Sequence, residues 1–406
     1  MKNIFADLHI HIGANLDGRP VKITASSQLT FTNIIKECLE KKGIDLVGIV
    51  DCAAPGVIKE IEKLTAAGQI VELPEGGFLH KDRVTVILGS EIETVEKNGG
   101  VSHHVAYFPF FRNLKEFSRI MSGYITNIEL SSQRASLSTS ELLAVTEATG
   151  GVLIPAHTFT PYKSVYGNAA RRLKELIGKD GFASIPAIEL GLSADTEIAD
   201  HLAELAEKSF LSNSDAHSLP KIAREYNLLQ VERVDFKELM LALNRRQGRK
   251  ILANFGLDPK LGKYNRTFCH QCNRVAEAVP PVVACQFCGE NGDKLVIGVY
   301  DRVVMIEDYS EPVHPSHRPP YYYQVALDYI PGITPAIYQR LLQVFGSEMA
   351  VLHQANADNL KKAIGWEIAQ NILMARSGKL IMASGGGGHY GKVKGFQSDN
   401  QQLELL

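Results

Sequence analysis

A chain of 406 residues that is 45% hydrophobic and 22% charged has the composition of a soluble globular protein and the length for two or three domains. Its longest apolar runs, 151–156 and 294–300, fall far short of the roughly 20 residues a spanning helix needs. Two histidines among the first eleven residues leave no room for the apolar core of a secretory signal. A membrane protein is thus excluded, and a cytoplasmic location is expected. The formal net charge of −2 announces no nucleic-acid partner by itself, but it hides an asymmetry. Residues 245–274 carry eight basic side chains against one acid, a local +7 that leaves −9 elsewhere.

In chain order, short β-rich runs over 4–12, 46–50, 84–92, 103–108, 152–156, 187–190 and 210–214 alternate with amphipathic helical stretches, among them 31–42, 138–149, 195–206 and 236–246. Alternation of this kind argues a parallel sheet with helices outside it, and about seven strands suggest a barrel more than an open sheet. In such barrels chemistry gathers at the C-terminal ends of the strands. The runs end at His9 and His11, at Asp51, at Glu91, at His104, at His157, and at Asp215 with His217. A single such histidine is more often an ordinary core or surface residue, yet here strand after strand finishes in a metal-capable side chain. His9 and His11 are two apart and share a strand face, as do Asp215 and His217, and Asp7 shares the first face, placed to orient one of its histidines. Mixed imidazole and carboxylate ligands suit Zn, Mn or Fe, and a carboxylate such as Glu91 can bridge two ions. Eight candidates are too many for one tetrahedral ion, so a multinuclear hydrolytic site is expected. His103 and His104 point to opposite faces; the spacing to the following apolar run favours His104.

Four of the six cysteines, Cys269, Cys272, Cys285 and Cys288, form C-x2-C-x12-C-x2-C, which can close a tetrahedral structural zinc site. A redox dithiol, the alternative, needs only one C-x2-C. Cys38 and Cys52 stand apart as buried small apolar residues. Beside the cysteines lies the basic run, whose Arg245, Arg246, Arg249 and Lys250 are candidate DNA contacts or simply solvated surface. A Pro-rich connector (314–324) follows, then two stretches in which a helical pattern breaks at an apolar-Gly-apolar step, around Gly332 and Gly365. Glycine there lets the backbone approach a phosphate while free N–H groups at the next helix start donate to it. The alternative for either copy is a plain αα-hairpin with glycine caps.

DLHIH at 7–11, the strand ending at Asp51, GSEIE at 89–93, HHVAYF at 103–108, PAHTF at 155–159 and NSDAH at 213–217 resemble the ordered motifs of the PHP superfamily. The resemblance implies a distorted (β/α)7 barrel over 1–250 holding two or three divalent metals (Zn2+, Mn2+, Fe2+ or Mg2+). Many members carry Asp-His after the second strand where this chain has Asp51-Cys52, so Asp51 would ligate alone. The two glycine steps resemble the helix-hairpin-helix. The order of barrel, zinc module (251–312) and helix-hairpin-helix domain (313–380), with AIELGLSAD, HRPPYYY and GGGGHYG, resembles the endonuclease Q family. That resemblance implies a DNA repair endonuclease that cuts 5′ of deaminated bases (uracil, hypoxanthine, xanthine) and abasic sites; metal-assisted hydrolysis of this kind would leave 3′-hydroxyl and 5′-phosphate ends. Glu189 and the run Tyr321-Tyr322-Tyr323 are candidates for reading the lesion. A phosphatase or 3′-5′ exonuclease using the same metals, and a non-catalytic DNA-binding adaptor, are the alternatives. After a glycine-rich and polar tail (381–406), Gln402, Leu403, Leu405 and Leu406 match the bacterial sliding-clamp binding motif, which makes the clamp an expected partner.

Overall fold

The computed structural model describes residues 1–378, 380–383, 387–389 and 392–396. Seven strands form a distorted barrel: β1 (Lys2–Ile10), β2 (Leu46–Ile49), β3 (Val84–Val95), β4 (Val101–Phe108), β5 (Val152–Pro155), β6 (Ala187–Glu189) and β7 (Ser209–Leu211). β1, β2 and β3 are parallel, as are β6 and β7. The ring continues from β5 to β6 through the Thr158 amide on Glu189 O (2.9 Å) and closes from β7 to β1 through the Ile10–Ala216 bridge. β2 reads Leu-Val-Gly-Ile and is buried throughout, as a strand covered on both faces requires.

The sheet is not parallel throughout, as the alternation had suggested: β4 runs antiparallel to both β3 and β5. The reason is the short link 96–100, which can close a hairpin but cannot hold the dozen or more residues of a parallel crossover. Of the expected helices, that over 138–149 forms as Thr139–Ala148, opened by a capping box between Ser138 and Glu141. That over 195–206 breaks into Thr196–Ala199 and a 3-10 turn Ala203–Leu205. There the Asp200 and His201 carbonyls accept from the Val313 and Asp308 amides instead of continuing a helix.

The sheet extends beyond the barrel from β1. β8 (Tyr226–Val231) pairs antiparallel with it, β9 (Lys250–Gly256) pairs antiparallel with β8, and β10 (Tyr321–Tyr323) pairs parallel with β9. Between β9 and β10 the four-cysteine module folds on a three-strand sheet in which Phe268–Cys269 lies between Arg274–Val275 and Leu295–Val296. After β10 comes a helical region with helices Pro335–Phe345, Ala357–Ile364 and Trp366–Arg376. Ahead of Gly332 the expected helix is only the 3-10 turn Leu327–Tyr329. Gly332 (φ 87°) and Gly365 (φ 82°) both take the left-handed backbone that favours glycine.

Candidate metal centre and active site

β1 delivers His9 and His11 fully buried at its C-terminal end. Each ring has its outer nitrogen committed: His9 Nδ1 lies 2.9 Å from Glu189 Oε2, and His11 Nδ1 lies 3.0 Å from Asp51 Oδ2. A carboxylate on Nδ1 holds a proton there, so it is Nε2 that offers its lone pair once a metal ion displaces the proton on that side. Those two Nε2 atoms face each other at 3.3 Å, with Asp215 Oδ1 3.2 Å from His11 Nε2 and 3.7 Å from that of His9. Two imidazole Nε2 atoms and a carboxylate converging in a buried space repel unless positive charge, a proton or a metal ion, sits among them. The donor set His9, His11 and Asp215 therefore fits a metal ion.

A second donor set is Glu91, His103 and His157. His103 Nε2 faces Glu93 Oε2 at 3.3 Å, which turns its Nδ1 towards Glu91 Oε1 at 3.0 Å; His157 Nε2 reaches the same oxygen at 3.3 Å. Glu91 also lies 3.5 Å from His9 and 3.7 Å from His11, so its carboxylate stands between the two sets in the place of a bridging ligand. Electrostatics agree with cation binding. Burial pushes the His9 imidazole down, but Glu189, Glu91 and Asp215 outweigh it and hold its pKa well above the ordinary value. Burial would raise Asp215, yet His11, His9 and His217 hold it well below the usual carboxylate range. His157 (φ 31°) and Asp215 (φ 46°) adopt left-handed backbone, a strain found at sites where side-chain direction matters.

The geometry sorts the remaining candidates by what they touch. The hairpin register pairs Glu93 with His103 and Ile92 with His104, so His103 shares the face of Glu91 and Glu93 while His104 points away. His104 instead meets Ser102 Oγ (2.8 Å) and Thr139 Oγ1 (3.1 Å), and burial pushes its pKa down to about 3. Asp51 is placed behind His11, its carboxylate also taking the Ile12 amide (2.6 Å) and the Ser131 hydroxyl. His217 stands at the rim, its ring 4.6 Å from that of His11 and outside both donor sets. Asp7 orients neither histidine ring; it accepts the Ser214 and Ala223 amides, and Glu189 takes the orienting place on His9. Tyr321 and Tyr323 spend their hydroxyls on Leu257 O and Asp195, while Tyr322 stacks on Phe255.

Sequence reasoning missed Lys22, whose Nζ lies 2.9 Å from Glu91 Oε2, and Ser131 and Ser132 beside it. All three sit on irregular segments with no periodicity to mark them. It also missed Glu93, which Arg134 and Lys163 pair with at the mouth; its spacing of two from Glu91 was the available signal. The cleft formed by Lys22, Glu91, His103 and His217 adjoins a recess lined by Thr160, Gly191, Leu192, Ser193 and Tyr264; His157, Tyr162 and Asp215 border both.

Elsewhere, the four cysteine sulfurs cluster, with Cys269 to Cys288 at 3.6 Å and Cys272 to Cys285 at 3.5 Å. In the basic run, Arg245 binds Ser209 Oγ and Glu207 O, and Arg249 pairs with Glu238 (3.0 Å) and Glu232, while Arg246 and Lys250 are exposed. Gln402, Leu403, Leu405 and Leu406 lie outside the described residues. Among the described residues no helix is long and apolar enough to cross a membrane.

A distorted α/β barrel with two donor sets at its strand ends that could hold metal ions, followed by a four-cysteine cluster and a helical region, is the architecture of a metal-dependent hydrolase. No family model matches the sequence. The Bacillus subtilis protein YqxK is 44% identical over 396 residues, spanning 97% of this chain and all of its own. The Methanocaldococcus jannaschii protein MJ0043 is 32% identical over 315 residues, 73% of this chain but 37% of that longer protein. The lesion-specific endonuclease PfuEndoQ from Pyrococcus furiosus superposes with a TM-score of 0.83 at 31% identity, covering 100% of this chain and 98% of its own. Endonuclease Q in complex with a 27-mer duplex bearing an abasic lesion at the active site gives 0.81 at 31%, covering 100% and 99%. The chain belongs to the endonuclease Q family and is an endonuclease.

Proposed function

We propose that this protein is a DNA repair endonuclease that hydrolyses the phosphodiester 5′ of deaminated bases (uracil, hypoxanthine, xanthine) and abasic sites, leaving 3′-hydroxyl and 5′-phosphate ends. The observation that carries the reading is the adjacency of the metal-binding cleft and the recess that shares His157, Tyr162 and Asp215 with it. A nucleotide turned out of the duplex into the recess would leave its 5′ phosphate at the cleft. Likeness along the whole chain to a family member bound to an abasic duplex supports the same substrate class.

Two divalent ions (Zn2+, Mn2+, Fe2+ or Mg2+), held by His9, His11 and Asp215 and by Glu91, His103 and His157, would supply an ionised water and Lewis-acid charge. The chain's own groups do the rest. Glu189 and Asp51 keep the proton on Nδ1 of His9 and His11, Lys22 presents a positive charge to a non-bridging phosphate oxygen, and Tyr162 forms the wall between cleft and recess. The four cysteines hold a structural Zn2+. The turns at Gly332 and Gly365 grip backbone phosphates as paired helix-hairpin-helix elements, aided by exposed Arg246 and Lys250. The terminal Gln402, Leu403, Leu405 and Leu406 tether the enzyme to the sliding clamp, which co-elution with and without residues 402–406 checks.

A closed circular duplex carrying uracil tests the activity. Nicking by the wild-type protein and none by His9→Ala or Asp215→Ala, with DNA binding retained, is the expected result. An untouched circle cut only after linearisation returns the protein to the exonucleases.

A further inference from the structure

The loop from β7 to β8 carries Asp215 and His217, and it is pinned from three sides. Asp7 accepts the Ser214 (3.1 Å) and Ala223 (2.9 Å) amides, and Arg224 donates to Ser214 O (2.7 Å) and Asp215 O (3.2 Å). Both of these pins lie within the barrel. The third comes from Lys42, at the end of the turn that follows helix Phe31–Glu37, whose Nζ donates to Pro220 O at 3.1 Å. Lys42 is in turn held by Glu348 of the helical region: Nζ to Oε1 is 2.6 Å, with the residues 1% and 0% exposed. Tyr338, on helix Pro335–Phe345, donates its hydroxyl to the same Glu348 oxygen. A second contact spans the same seam, Lys221 Nζ lying 4.2 Å above the ring of Tyr329.

Burying a lysine and a glutamate together costs desolvation that an apolar pair of similar size avoids, so stability alone is a weak reason for the pair. What an apolar pair cannot do is donate to Pro220 O. We propose that Lys42 is a positioning residue for strand cleavage: clamped by Glu348, it sets the loop that presents Asp215 and His217, so that the docked helical region, which follows Gly332, holds the catalytic loop in place. This rests on the reading of Asp215 as part of the active site. It adds a physical line from the DNA-gripping region to the metal cleft.

The test is the apolar replacement Lys42→Met/Glu348→Leu, in which neither charge is left buried alone. Expected are a cooperative unfolding transition with a melting temperature lowered by no more than a few degrees, since Pro220 O and the Tyr338 hydroxyl each lose a partner, DNA affinity within about twofold, and a kcat lowered about tenfold or more, since small misplacements of catalytic groups cost that much. Faster amide exchange confined to residues 218–224 should accompany the loss, and Lys42→Arg, which keeps the donor, should restore most of the rate. Wild-type kcat in the double variant overturns the proposal, as does a loss of rate with unaltered exchange at 218–224. If the double variant fails to fold, Glu348→Gln is read by the same exchange measurement, and wild-type protection there overturns it too. His9→Ala in the same assay separates the two readings: a cutting His9→Ala refutes the metal-site assignment, whereas a silent His9→Ala beside a fully active double variant refutes only the role of Lys42.

Discussion

His9 Nδ1 and Glu189 Oε2 lie 2.9 Å apart, both residues buried, and Asn213 Nδ2 donates to the same carboxylate oxygen at 2.9 Å. Glu189 ends β6 and His9 lies near the end of β1, strands far apart in sequence, so only the closed barrel brings them together. The contact decides which nitrogen of His9 faces the cleft. Replacing Glu189 with Gln keeps the shape and removes the charge; activity or metal affinity should fall about 10- to 100-fold. Metal content per chain, measured beside kcat, checks this, and full metal loading with normal rate would remove Glu189 from the site.

The hairpin register separates His103 from His104. His103→Ala should lose barrel metal and cleavage while the fold persists. His104→Ala should cut normally but lose on the order of 1–3 kcal/mol of stability, because Ser102 and Thr139 lose a buried partner. Paired metal analysis and urea unfolding of the two variants give the answer, and an inactive but fully stable His104→Ala would reverse the assignment.

Cys269→Ser or Cys285→Ser should each lose one equivalent of zinc and loosen residues 265–290, since the folding of a small metal module is coupled to its metal. Unchanged zinc in the purified variants would rule the site out.

Glu225 is buried near Asp7 and Glu189, and burial raises its pKa from 4.5 to about 8. Its folded pKa lies above its unfolded one, so the native state holds a proton that the unfolded chain has released between those two values. Its contribution to stability is therefore fully present below about pH 4.5 and is lost as pH rises towards 8, at up to about 1.4 kcal/mol per pH unit. Glu225→Gln, which cannot ionise, should gain on wild type steadily from pH 5 to about 8 in chemical denaturation. Parallel curves for the two proteins over that range would show that the carboxyl is not kept neutral.

The basic run divides by structure. Arg249 is tied to Glu238 and Glu232, so Arg249→Gln should cost stability and leave DNA affinity nearly unchanged. Neutralising the exposed Arg246 and Lys250 should weaken DNA binding and lower the slope of log K against log salt by roughly one for each phosphate left without its cation. An unaltered slope would make them solvated surface.

The sequence by itself determined the seven strands, because near-continuous runs such as Leu46–Ile49 can only be buried, and it determined that metal-capable residues end those strands. It also determined the cysteine cluster, since paired C-x2-C spacing is a local property of two tight turns. What it could not decide was any question set by pairing between distant segments. Whether His103 or His104 faces Glu91 depends on how β4 registers against β3, and a shift of one residue reverses the faces. That Asp51 stands behind His11, that Glu189 rather than Asp7 orients His9, and that Lys22 enters the cleft from an irregular segment are all consequences of tertiary assembly. Periodicity reports which face of one strand a residue occupies. Only the assembled barrel, with its hydrogen bonds between strands, decides which faces meet and which side chains stand within hydrogen-bonding reach of one another.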